Sequence, residues 1–219
     1  MTIYRSATAH GAAVLPASGV FRILHVCIAN QCRSPLAELL TNHELGMAPT
    51  VDLYGWEIDS AGVNGVDGQP MHPLADHALS ALGVDSGGFR SRRLTRQLAA
   101  AADLILTATA AERDHVIASR PSVLPVTFTL LEFARLLSAV PGDARIAAPS
   151  PAVRARTVVG MARAARGRVP YVEPEADDVP DPDRTVPAFT ACAAEIHRAV
   201  RTVVAALTEP APRMASGRA

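Results

Sequence analysis

Residues 21–40 read FRILHVCIANQCRSPLAELL, and this stretch decides the fold. Its first seven residues, FRILHVC, are short, rich in branched apolar side chains and bounded by loop signals, the pattern of a buried strand. After the loop, Ser34 is placed to cap a helix with Pro35 at its first position, and Leu36, Leu39 and Leu40 then recur on one face until Gly46. The same alternation repeats outward. WEIDSAG (56–62) precedes a helix from about Pro73 to Leu82, DLILTAT (103–109) precedes AERDHVIAS, and VTFTLL from Val126 precedes EFARLLSA. Four strands alternating with helices predict an α/β fold: a four-stranded parallel sheet between two helical layers, three layers (αβα) in all.

The chain has 219 residues, enough for one domain with tails and short for two cores. That domain is expected over 21–208, with a loose arm at 1–20, an Arg/Ala-rich helical insertion at about 140–172, and a disordered tail at 209–219. Apolar residues make up 49% but aromatics only 4%, so the core must be built mostly from Ala, Val and Leu. All 21 basic residues are Arg, which excludes a Schiff-base lysine and the P-loop lysine of a nucleotide hydrolase. Twenty-one acids balance them, which disfavours nucleic acid as a partner. No apolar run reaches the roughly 18 residues of a membrane span. Three cysteines are too few for a secreted disulfide framework, so a soluble protein of the reducing cytoplasm is expected.

Within the insertion, Ser150 and Pro151 begin a helix whose stripe is Val158, Met161, Ala162 and Ala165, with Arg156 and Arg163 on the other side. Six arginines there are followed by six acids between Glu173 and Asp183, which predicts a solvated helix paired with its own acidic neighbour, with a docking surface as the alternative. A last helix spans about Ala188 to Leu207, with Cys192 in its apolar stretch.

The chemistry is carried by the loop between the first strand and first helix. In a parallel αβ sheet, ligands bind beyond the carboxyl ends of strands, where a helix start offers unpaired N–H groups and positive potential. The backbone of Ile28, Ala29, Asn30, Gln31 and Cys32 can wrap a tetrahedral oxyanion, with the Arg33 guanidinium closing the cradle. The same field favours the thiolate of Cys27, to which Ser34 adds a hydroxyl hydrogen bond. A thiolate beside such a cradle is a nucleophile. His25 shares the strand face of Cys27 and reads as a core histidine; His72 and His77 have no nearby thiol and do not make a metal site.

VCIANQCRSPLAE resembles the signature loop of the low-molecular-weight protein tyrosine phosphatases. Further similarities are DSAG (59–62), GVDSGGFRSRRL (83–94), DLIL (103–106) and VPDP (179–182). The resemblance implies a phosphomonoester hydrolase without metal or cofactor. Cys27 attacks phosphorus, Arg33 stabilises the equatorial oxygens, and Asp181 protonates the leaving oxygen, then activates water. It implies that Asn30 and Ser60 hold the loop in shape, and that Cys32 forms a reversible disulfide with Cys27. Its substrate would be a phosphotyrosine protein or a small phosphomonoester. Asp177, Asp178 and Asp183 compete for the acid's role, but only Asp181 precedes Pro in the matching motif.

The sequence departs from that family's pattern at several positions. Ala29 replaces the usual Gly, which stores strain if that position needs positive φ. Asp183 and the loop VNGVDGQ (63–69) lack the aromatic walls of the substrate slot, and Tyr171 is a candidate substitute wall. Gln31 matches neither the tyrosine phosphatases nor the related phosphoarginine phosphatases. Phe89 replaces a buttressing His. Two alternatives stand beside the hydrolase: a thiol-dependent arsenate reductase on the same fold, for which only Cys32 and Cys192 are on hand, and a phosphate-binding or phosphoprotein-docking module without turnover.

Overall fold

The computed structural model describes residues 19–48, 55–140 and 150–208. Nearly all of the expected N-terminal arm, the first part of the insertion and the C-terminal tail therefore lie outside the described residues. Strand β1 (Phe21–Cys27) lies inside a parallel sheet of order β2-β1-β3-β4, with β2 at Trp56–Gly62, β3 at Leu104–Thr107 and β4 at Thr127–Thr129. β1 pairs with β2 from Phe21 opposite Trp56 to Cys27 opposite Gly62, so Cys27 ends its strand beside the glycine of DSAG.

Alternation along the strands divides the core in two. Phe21, Ile23, Ile58, Leu104, Leu106 and Phe128 face the larger cluster. It is covered by α1 (Arg33–Met47), α2 (Pro73–Ala81), α5 (Leu130–Ser138), α6 (Pro151–Ala165) and α7 (Val186–Thr208). Leu24, Val26, Ala61 and Ile105 face the smaller one, under α3 (Arg96–Ala101) and α4 (Ala110–Ser119). The three layers are thus present, and each buried Leu or Ile contributes about 2 kcal/mol to holding them together.

Several local readings are corrected. Ser34 is not the cap of α1: the helix begins at Arg33 with Cys32 at the N-cap position and no side-chain cap, because the Ser34 hydroxyl is drawn inward to the loop. Strand β4 stops at Thr129, whose side chain and Glu132 form a capping box that starts α5 at Leu130, two residues before the expected start. The short helix α3, capped by Thr95, was not expected.

Helix α6 is not a solvated helix paired with the acids that follow it. Ala152, Ala155, Val158, Val159, Ala162 and Ala165 are buried in the larger core. Arg156, expected to point away, reaches the Asp103 carboxylate at 2.9 Å and the Val20 carbonyl. Arg166 reaches Glu132 at 2.8 Å and lies over the Phe128 ring. Of the acids that follow α6, Asp177 pairs with Arg135 of α5.

His25 is a core histidine. Its Nε2 lies 3.1 Å from Thr41 Oγ1, which itself donates to the Ala37 carbonyl, so Nε2 carries the proton and Nδ1 has no partner among the described residues. Burial lowers its pKa to about 3 from 6.5, so the folded protein holds it neutral where the unfolded chain would protonate it. Unfolded chains then bind more protons in this window. Stability is expected to fall by roughly 1 kcal/mol per pH unit as pH drops from about 6.5 toward 3. Urea unfolding at stepped pH checks this, and His25→Leu should flatten the slope.

Candidate active site

Four parts of the chain meet at the carboxyl ends of β1, β2 and β3. Cys27 comes from the end of β1, and its Sγ is 3.0 Å from Ser34 Oγ in the first turn of α1. Between them the loop turns through Asn30, the sole non-glycine residue at positive φ among those described (φ 57°). Ala29 is therefore free of the strain expected of it, because its neighbour takes the left-handed conformation, which Asn tolerates. The backbone N–H groups of residues 29–32 find no acceptor among the described residues, as a cradle for an oxyanion requires.

Asn30 is fully buried and ties the loop together. Its Nδ2 donates to Ser34 Oγ at 2.9 Å and to Ser60 Oγ at 2.7 Å, and its Oδ1 accepts from the Arg92 N–H at 2.7 Å. Ser60 in turn donates to Glu38 Oε2. Burial pushes the Glu38 carboxyl above its usual range, opposed by the Ser60 hydrogen bond and the Arg92 charge and assisted by Asp59. Arg92 also donates to the Ser60 carbonyl and pairs with Asp59. The backbone of Arg92 thus supplies a buttress in the segment where Phe89 stands in place of the family's usual His.

Gly62 admits the loop. A Cβ there would lie 2.7 Å from Ala29 C, 2.8 Å from Asn30 N and 2.9 Å from Ile28 O, all backbone atoms. Gly62→Ala must displace the cradle, and a misplacement of about 1 Å costs on the order of 10²-fold in rate. The expected result is a fall of that size in phosphate release with an unchanged circular dichroism spectrum.

Arg33 is 5% exposed and held from three sides. It donates to the Val179 carbonyl at 3.1 Å, and its NH2 lies 3.1 Å from Asp181 Oδ1 and 3.6 Å from Glu112 Oε1. Glu112 is buried in the first turn of α4, where it also bonds to Thr109. The segment carrying Asp181 is pinned to the end of β3: Val179 N–H donates to the Ala108 carbonyl, and Asp178 accepts from Ala110 N–H. Asp177 is occupied by Arg135, and Asp183 is exposed outside the cleft. Of the four candidate acids, the structure brings Asp181 to Arg33 and Cys27.

These groups line a cleft of about 240 Å³ that also includes Ile28, Gln31, Cys32, His72, Pro182, Arg184 and Phe189. His72 caps α2 through Nδ1 and stacks on Phe189 of α7 at 4.7 Å, placing two rings in the wall. Tyr171 does not serve as a wall: it is 78% exposed, donates to Glu173, and borders a separate cleft with Arg135 and Asp177. Sequence reasoning missed Glu112, Glu38, His72 and Arg184. The Thr109-x-x-Glu112 spacing at the end of a strand was the one signal available, since it marks a helix start facing the site. No cluster of three or more potential metal ligands occurs among the described residues.

The sequence model of the low molecular weight phosphotyrosine protein phosphatases matches residues 22–135. A probable low molecular weight protein-tyrosine-phosphatase, EpsP of Ralstonia nicotianae, is 34% identical over 110 residues, covering 50% of this chain and 70% of the relative. A protein-arginine-phosphatase of Geobacillus stearothermophilus is 32% identical over 123 residues, 56% of this chain and 76% of that one. The fold is similar to that of the Erwinia amylovora tyrosine phosphatase AmsI, with a TM-score of 0.60 and 22% identity over 89% of this chain and 98% of the other. With the loop, the sheet order and these likenesses in agreement, the chain belongs to the low molecular weight phosphotyrosine protein phosphatases, a family of hydrolases.

Proposed function

We propose that this chain hydrolyses phosphomonoesters on protein side chains through a phosphocysteine on Cys27. The carrying observation is the convergence of Cys27, the unpaired N–H groups of its loop, Arg33 and Asp181 on one cleft. The Cys27 sulfur attacks phosphorus while the loop N–H groups and the Arg33 fork hold the equatorial oxygens, where charge is greatest in the transition state. Arg33 Nε has no partner among the described residues and is a donor for such an oxygen. Asp181 gives its proton to the leaving oxygen and then takes one from the water that cleaves the phosphocysteine. Ile28, Asn30, Gln31, Cys32 and Ser34 shape the loop, and Ser60 supports it. The cast needs no metal, and residues 21–208 act as one domain in a reducing cytoplasm.

Relatives are named for both phosphotyrosine and phosphoarginine. The stacked rings of His72 and Phe189, with Ile28 and Pro182, offer a flat apolar side chain a wall despite Asp183, which favours phosphotyrosine. The test is phosphate release in the presence of chelator, comparing p-nitrophenyl phosphate with an alkyl phosphate. In kcat/KM, which reports formation of the phosphocysteine and not its hydrolysis, Asp181→Asn is expected to slow the alkyl ester by about 10²–10⁴-fold and the nitrophenyl ester far less, since nitrophenolate departs without a proton. Equal losses on both esters would remove Asp181 from the acid's role. A folded wild type that releases no phosphate would sink the reading.

A further inference from the structure

Behind the phosphate cradle lies a second space, of about 10 Å³, bordered by His25, Arg33, Ser34, Thr107, Val179 and several apolar side chains, all of them buried. Its size is about that needed by one water molecule, and a water stays in such a place only where polar groups hold it. Two of the bordering residues supply them. His25 brings Nδ1. Its Nε2 faces Thr41, which does not border the space, and the proton on Nε2 leaves Nδ1 with a lone pair that meets no donor among the described residues. A buried acceptor without a donor is costly, so a donor placed there is a gain. Arg33 brings Nη1. Its guanidinium stands between the space and the cleft and borders both. Nη2 faces Asp181, which lines the cleft, whereas Nη1 donates to the carbonyl of Val179, which borders the space and not the cleft. Nη1 carries two N–H groups and the Val179 carbonyl takes one, which leaves the other as a donor on the side of the space.

We propose that His25 is a positioning residue for phosphoryl transfer: one water in this space accepts from Arg33 Nη1, donates to His25 Nδ1, and so ties the guanidinium to the strand that carries Cys27. The proposal rests on Arg33 holding phosphate oxygens, as the phosphatase reading has it. The tie leaves Nε and Nη2 as the fork that faces the cleft. It also differs in kind from the other three holds on Arg33. Glu112 and Asp181 are anions, which offset the positive charge that a phosphate must meet, and Asp181 has to turn away from Arg33 when it serves the leaving oxygen. A neutral imidazole acting through water does not offset that charge, and it stays in place through both half-reactions. Val179 belongs to a segment 146 residues further along the chain. His25 belongs to β1, as Cys27 does, so it fixes the guanidinium in the frame of the nucleophile.

Two variants of the full chain separate the two nitrogens of the ring. His25→Asn keeps an acceptor close to the place of Nδ1 and gives up the bond to Thr41. His25→Gln reaches the place of Nε2 and can still donate to Thr41, but offers nothing at Nδ1. In kcat/KM for p-nitrophenyl phosphate, His25→Gln is expected to lose about 10-fold and His25→Asn no more than about 3-fold. Stability should run the other way, since the smaller Asn leaves the larger hole and unfolds at lower urea. Activities that instead follow the urea midpoints, with His25→Asn the poorer enzyme, would reduce His25 to a packing residue and overturn the proposal. A crystal structure of the wild type decides it where the variants do not fold. It should show a water within about 3.2 Å of both His25 Nδ1 and Arg33 Nη1. A dry space, or a water that reaches one of these atoms and not the other, would overturn the proposal equally. A folded wild type that releases no phosphate sinks the phosphatase reading instead. In that event affinity for inorganic phosphate takes the place of kcat/KM, with the same order of variants expected, and the water still decides the tie.

Discussion

Replacing Cys27 by Ser is expected to lower phosphate release by on the order of 10⁴-fold or more while leaving the fold intact. The hydroxyl keeps the hydrogen bond to Ser34, which stands 3.0 Å from the sulfur, and fills much the same space, so the melting temperature should move little. What is lost is the nucleophile. An alcohol is scarcely ionised near neutral pH, and no neighbouring base replaces the charge: His25 on the same strand face faces Thr41, and Asp181 is held by Arg33. Steady-state release from p-nitrophenyl phosphate measures the loss. A variant that kept a tenth of the activity would place the attacking atom elsewhere.

Arg33→Lys should cost about 10³-fold in kcat/KM, because an ammonium replaces the planar fork as a point charge and cannot meet two equatorial oxygens at once. Its effect on stability should be smaller, since a cation still faces Glu112. Arg33→Ala differs in kind. It leaves Glu112, 5% exposed, without its cation, and breaking a buried pair in this way costs about 3–5 kcal/mol. Urea denaturation of both variants beside kinetics separates the two parts played by one side chain. If both variants were equally stable, Glu112 would not depend on Arg33. In that case the buried pair could not be what orients the guanidinium.

The loop and its flanking elements were legible in the sequence because they are local. FRILHVC reads as a strand and the leucine stripe of α1 as a helix without reference to the rest of the chain, and WEIDSAG ends where β2 ends. What failed depends on side-chain partners that an apolar pattern does not show. Ser34 looks like a helix cap until Asn30 and Cys27 claim its hydroxyl. Leu130 and Leu131 extend an apolar run that reads as strand, and it takes the Thr129–Glu132 capping box to turn it into helix. Helix α6 reads as solvated because its apolar residues are mostly alanines set among arginines, yet alanines and valines face the core, and Asp103 and Glu132 wait on other elements. His72 and Phe189 lie far apart in sequence and become a wall only by stacking.

The bond from Arg33 to the Val179 carbonyl joins residues 146 positions apart. Its consequence is kinetic. Contacts of such long range carry the largest loop-closure cost and form late in folding. The cleft is finished only when the segment from Val179 to Pro182 and helix α7 have docked on a sheet assembled from earlier parts of the chain. Recovery of catalysis during refolding should therefore trail the recovery of helical circular dichroism, so that enzymatic turnover times the arrival of the carboxyl-terminal third.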